Sequence, residues 1–289
     1  MKKKLLFAVG ATALLSIAVV FAFGWVLAAP VQRSVGQPPT DLGARPVEFK
    51  SDSGAIVHGW WCPVENSRGA VLLLPGIRAN RLSMVERTRL LRRENYSVLL
   101  IDLQATGETK GDHITFGWKE SRDVIAAVNF TRDRDPEARI AIIGSSLGGA
   151  AALLAVPRLK IDGLVLEAVY PTIEIATRNR MENYLGSAGR MLTPLLLTQL
   201  PLRIGVSAHD LQPIDHIAQV DCPVLIMSGE IDRHTREQDT QLLFDHAREP
   251  KELWLVPKAA HVDLYRAEPH QYEKRVLAFL DQMANSRSP

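Results

Sequence analysis

The sequence predicts an α/β fold, with a mostly parallel central sheet of about eight strands and helices on both faces. Three observations carry that expectation. From residue 46 onward, strand-like and helix-like segments alternate. The first two strand-like segments follow each other with no helix between. The run Ile140, Ile142, Ile143 passes through Gly144-Ser145-Ser146-Leu147-Gly148 straight into an alanine- and leucine-rich helix.

In chain order, Lys2, Lys3 and Lys4 precede residues 5–29, which carry no charge. As a helix that stretch spans about 37 Å, more than the hydrocarbon core of a bilayer requires. A cleavable signal has a shorter apolar run, about 7–15 residues, so length favours an uncleaved transmembrane anchor over residues 1–29. Secretion after cleavage is the alternative, because Val26-Leu27-Ala28 is an acceptable cleavage triplet. The lysines place the N-terminus in the cytoplasm and export the remainder to the cell envelope or periplasm. Residues 30–45, with Pro30, Gly36, Pro38, Pro39 and Gly43, read as a linker with too few apolar residues to pack.

Residues 46–286 then form the folded domain. Strands are expected at 47–50, 56–62, 70–74, 97–102, 139–144, 163–168, 224–228 and 252–256. Helices are expected at 83–94, 118–134, 146–156 and 270–284; the second places Trp118, Val124, Ile125 and Val128 on one face. One interval breaks the rhythm. Residues 170–218 contain no clear strand, a helix candidate at 173–184 and the apolar run Met191-Leu192-Thr193-Pro194-Leu195-Leu196-Leu197. An insertion at the carboxyl end of a strand sits above the site of an α/β sheet, so this one reads as a cap rather than a surface excursion.

Composition excludes several functions. Of 289 residues, 46% are hydrophobic and 23% charged, ordinary values for a globular protein. Lys plus Arg number 34 against 32 Asp plus Glu, with no basic stripe beyond the first four residues, which argues against nucleic acid as a partner. Cys62 and Cys222 are too few for a disulfide scaffold or a structural zinc site. No phosphate-loop, zinc-protease or calcium-loop pattern is present.

The chemistry centres on Ser146. A strand-to-helix turn with glycine two residues either side holds a serine hydroxyl proud of the sheet, and the helix N-terminus behind it favours a developing negative charge. An ordinary Gly/Ser turn is the alternative. A serine is a poor nucleophile without a base and a group to orient that base. An acid and then a histidine, each just after a strand, follow Ser146 in the order expected: Asp232 after Gly229-Glu230-Ile231, and His261 after Pro257-Lys258-Ala259-Ala260. Glu230 rivals Asp232; His234, His216 and His246 rival His261; and Asp263 lies close enough to interact with the His261 ring. The two backbone donors of an oxyanion hole are expected from Leu147 and from Ile77, in the loop Pro75-Gly76-Ile77-Arg78-Ala79-Asn80. Arg78 reads as a surface charge or as a contact for an anionic substrate group.

These residues resemble the α/β-hydrolase family over nearly all of residues 46–284. Pro75-Gly76 stands at the family's His-Gly, Gly144–Gly148 at its nucleophile elbow, Gly229–Asp232 at its Gly-x-x-Asp segment and His261 at its terminal histidine. Asp102-Leu103-Gln104-Ala105-Thr106-Gly107 resembles the family's Asp-x-Arg-Gly-x-Gly loop, with Gln104 and Ala105 replacing Arg-Gly. The order of elements looks most like the serine-aminopeptidase and monoacylglycerol-lipase branch. The resemblance implies a serine hydrolase that needs no cofactor and acts on an ester, amide or thioester. An acylated small molecule or a lipid-like ester is the substrate expected. An amidase or peptidase, an acyltransferase, and a silent domain that binds a partner are the alternatives.

Overall fold

The structure, a computed structural model, describes residues 18, 20–156 and 158–285. Strands are β1 (Val31–Gln32), β2 (Arg45–Lys50), β3 (Ile56–Cys62), β4 (Ala70–Leu74), β5 (Ser97–Ile101), β6 (Thr106–Gly107), β7 (Ile140–Ser145), β8 (Gly163–Glu167), β9 (Val224–Gly229) and β10 (Lys251–Val256). Helices are α1 (20–28), α2 (Val85–Arg93), α3 (Glu120–Arg134), α4 (Leu147–Ala155), α5 (Ile173–Leu185), α6 (Ser187–Leu197), α7 (Leu200–Ile204), α8 (Ile214–Ile217), α9 (Glu237–His246), α10 (Leu264–Ala267) and α11 (Pro269–Asn285).

Eight strands form one sheet in the order β10-β9-β8-β7-β4-β5-β3-β2. Only β3 runs against its neighbours, pairing antiparallel with β2 and β5, while all other pairs are parallel. The central strands are buried on both faces, which is why they read as unbroken apolar runs. Alternate residues feed two cores. Leu72, Leu74, Ile142 and Leu166 pack beneath α3, α4 and α9, whereas Val71, Leu73, Ile143 and Val165 pack beneath α2 and α11. Tyr272, Val276, Phe279 and Leu280 supply the inner stripe of α11.

The insertion between β8 and β9 is α5–α8, a helical cap whose own small core is Ile173, Leu200, Val206 and Leu211. It stands over the carboxyl ends of the strands and so roofs the region where Ser146 sits.

The N-terminal segment departs from expectation. Residues 30–45 are not a free tether: Val31 N donates to Ala105 O at 2.8 Å, Arg33 N donates to Gly107 O at 2.8 Å, and β1 pairs in parallel with β6. Glu108 accepts from Val35 N and Gly36 N, and Leu42 is buried in the α2 core. Backbone hydrogen bonds hold this strip, and they leave no trace in composition. Most of the expected anchor, residues 1–17 and 19, lies outside the described residues. Helix α1 packs on the cap through Val20, against Met181 and Leu196, and its end is held by the loop before α3, where Ile114 N donates to Ala28 O at 2.8 Å. No helix among the described residues is long and apolar enough to cross a membrane.

Candidate active site

Ser146 occupies the one-residue turn between β7 and α4. Its φ is 46° and ψ −109°, outside the favoured regions for a residue with a Cβ and costing about 1–3 kcal/mol. Two hydrogen bonds impose that conformation: Ser146 N donates to Glu167 O at 2.7 Å, and Ala150 N donates to Ser146 O at 3.0 Å. Two close approaches explain the flanking glycines. A Cβ on Gly144 would stand 2.6 Å from Gly149 Cα, and one on Gly148 would stand 2.6 Å from Leu74 O. The turn is tight because α4 must begin against the end of β4.

Asp232 and His261 come together through two stitched loops. After β9, Glu230 N donates to Val256 O and Ile231 N to Ala259 O, both at 2.9 Å, so the loops after β9 and β10 lie edge to edge. One Asp232 oxygen, Oδ1, accepts from His234 N at 2.7 Å and Thr235 N at 2.9 Å. The other, Oδ2, faces His261 Nδ1 at 2.7 Å, and the carboxylate side chain is 0% exposed. With a carboxylate at Nδ1, that nitrogen carries the proton and Nε2 presents its lone pair outward. His261 and Ser146 line the same pocket, along with Ile77 and Leu147. The structure thus gathers all five sequence-predicted residues, four at the pocket wall and Asp232 behind His261.

The rivals are otherwise engaged. Glu230 accepts from Lys258 N at 2.8 Å, which closes the loop that carries His261. His216 Nδ1 lies against Val156 O and His246 Nδ1 against Leu242 O. Asp263 caps α10 and pairs with Arg87 at 2.8 Å. His234 lines the pocket with its ring 5.2 Å from that of His261, nearly edge-on, and burial with the nearby Arg180 charge holds its pKa below the ordinary imidazole value. Arg78 donates to Val26 O at 3.0 Å and ties the loop after β4 to α1.

Sequence reasoning missed a buried network beneath the site. Arg87, on α2, makes a two-point ion pair with Glu167 (Nε to Oε1 3.0 Å, Nη2 to Oε2 2.7 Å) and reaches Asp263. Tyr272 OH joins the same cluster, donating to Glu167. Nothing in the local sequence separates Arg87 from the half-buried Arg89 and the exposed Arg93 on the same helix. A second network explains the departed loop: Gln104 Nε2 donates to Glu120 Oε1 at 2.7 Å and His113 O at 2.8 Å. An amide there holds the loop to α3. Ala105, at φ 62°, offers its carbonyl to Val31.

Cys62 and Cys222 are buried free thiols, each pushed up to about 12 by burial. Among the described residues, no group of three or more His, Cys, Asp or Glu side chains could hold a metal ion.

Known proteins match this fold along most of its length. The chain is 25% identical to the uncharacterized protein YqkD of Bacillus subtilis, over 98% of this chain and 99% of the relative. It is 30% identical to an uncharacterized protein of Mycobacterium tuberculosis, over 76% of this chain and 73% of that protein. Among solved structures, the Pyrococcus furiosus esterase Pf2001 superposes with a TM-score of 0.73 at 23% identity, covering 89% of this chain and 98% of the other. The model of the alpha/beta hydrolase family matches residues 56–275. The chain belongs to the alpha/beta hydrolase family.

Proposed function

We propose that the protein is a serine hydrolase that cleaves a carboxylic ester of a small-molecule or lipid-like substrate. The observation that carries this reading is the Asp232–His261 hydrogen bond at 2.7 Å, on a pocket that also holds Ser146 in its strained turn. His261 Nε2 takes the Ser146 proton as the hydroxyl attacks the ester carbonyl, and Asp232 fixes the tautomer and steadies the imidazolium. Backbone N–H groups of Leu147 and Ile77 face the oxyanion, and the α4 N-terminus adds its partial positive charge. His261 then protonates the leaving alcohol. Water, activated by the same ring, releases the acid. The Pyrococcus furiosus neighbour, an esterase, supports this chemistry.

The lining favours an ester over a peptide. An aminopeptidase needs a carboxylate to pair with the substrate's α-ammonium, and among the described residues no Asp or Glu lines this pocket. This lining supports the monoacylglycerol-lipase side of the branch that the sequence resembles. Assay of p-nitrophenyl esters beside aminoacyl p-nitroanilides tests the assignment. Esters are the expected substrates, abolished in Ser146→Ala, and preference for the anilides overturns it.

The same reading keeps the domain at a membrane, through residues 5–29, with the N-terminus cytoplasmic and the domain exported. The uncharged stretch supports it, as do Phe21, Trp25 and Val26, large apolar side chains of α1 left partly open to solvent. Carbonate extraction of membranes tests it: the chain is expected to stay in the pellet, and release into the supernatant contradicts anchoring.

A further inference from the structure

The pocket at Ser146 is walled mainly by apolar side chains, yet two arginines line it, Arg180 and Arg203. Arg203 is fully engaged. Its Nε and Nη2 donate to Gln199 Oε1 at 3.0 and 2.8 Å, Nη2 also reaches Phe21 O, and the guanidinium lies over the Phe21 and Trp25 rings. Arg78, the cation that the sequence sets nearest the oxyanion loop, is held by Val26 O. Arg180 differs from both: among the described residues it has no hydrogen-bonding, ionic or ring partner. It is also not a stray surface charge. Ile173, Ala176, Thr177 and Arg180 share the α5 face turned to the pocket. A guanidinium in apolar surroundings calls for an anion, because its five donors lose water there and gain nothing from hydrocarbon.

The position of Arg180 says which half of the substrate carries that anion. Its charge is felt at His234, whose ring stands edge-on to His261 at 5.2 Å. In acyl transfer the histidine hands its proton to the leaving oxygen, so the alcohol half lies on the histidine side. We infer that Arg180 binds a phosphate or carboxylate carried on the alcohol half of the ester, while the apolar wall receives the acyl chain. The inference rests on the ester-hydrolase reading. The reaction balances with water alone: hydroxyl goes to the acyl carbon and a proton to the alcohol oxygen, releasing a fatty acid and an anionic alcohol.

The test uses the full chain and three substrates with one acyl group: 1-octanoylglycerol 3-phosphate, the octanoyl ester of glyceric acid, and neutral 1-octanoylglycerol. The readout is the ratio of kcat/KM for each anionic ester to that for the neutral one, so a general loss of activity cancels. A charge-assisted pair gives the wild type an anion preference of about ten- to a hundredfold. Arg180→Gln should bring the ratio close to one, and Arg180→Lys should keep part of it. Whichever anionic ester shows the larger ratio names phosphate or carboxylate as the source. A wild-type ratio at or below one, or a ratio unchanged by Arg180→Gln, overturns the inference. If Ser146 still takes a fluorophosphonate in that case, the hydrolase reading survives; if folded protein takes none, both fall.

Discussion

Arg87 and Glu167 form a buried two-point ion pair one hydrogen bond away from Ser146, since the Glu167 carbonyl accepts from Ser146 N at 2.7 Å. The same guanidinium reaches Asp263, two residues beyond His261, at 2.8 Å. One cation on α2 therefore braces the turn that strains Ser146 and the loop that carries His261. Burial of a charge is costly unless it is met in full, and here both Glu167 oxygens, one Asp263 oxygen and the Tyr272 hydroxyl accept from it.

Removing Arg87 leaves Glu167 buried without its partner. Arg87→Ala should destabilise the protein by about 3–5 kcal/mol, measured by urea unfolding. Adding Glu167→Gln should recover part of that loss. A strictly additive double mutant would contradict the coupling.

Crowding at the elbow makes a second prediction. Gly148→Ala drives a methyl group to 2.6 Å from Leu74 O, and backbone cannot rotate away. A loss of about 1–3 kcal/mol should accompany a fall in ester turnover. Gly54→Ala meets nothing within 4 Å and, despite its positive φ of 91°, should cost only the strain of that φ and leave turnover intact.

Stability should fall as pH rises from about 4 to 6. Burial pushes the Asp123 carboxyl up to about 6 from 3.8, against the pull of its bonds to Ser53 and Gln104 N. Between those values the folded chain holds a proton that the unfolded chain has lost. Unfolding there releases it, so rising pH favours the unfolded state, by roughly 3 kcal/mol over the window. Unfolding curves for wild type and Asp123→Asn check this: the variant should lack that slope.

Helix α1 contributes Gly24, Leu27 and Ala28 to the pocket wall. Leu27→Trp should therefore shorten the acyl chain accepted, lowering kcat/KM for long-chain over short-chain p-nitrophenyl esters about tenfold. An unchanged chain-length profile would remove α1 from the substrate site.

How much of this was readable before the structure depends on the kind of force involved. The limits of β3 and β4 follow from their apolar runs, and the adjacency of Asp232 and His261 follows from two strand ends that lie next to each other in the sheet. Periodicity and chain order encode such features directly. The docking of residues 30–36 does not show, because backbone groups make it and a two-residue ladder has no pattern. Arg87 and Arg180 do not show either. Each sits on a helix among other arginines, and only the packing of that helix decides which one turns inward.

The central claim is that Ser146 is a nucleophile activated by His261, and active-site labelling tests it most directly. Full-length protein treated with a fluorophosphonate and digested for mass spectrometry should carry a single adduct on the peptide containing Ser146. Ser146→Ala should lose the adduct, and His261→Ala should form it far more slowly. A folded protein that takes no adduct, or takes it on another residue, would contradict the account.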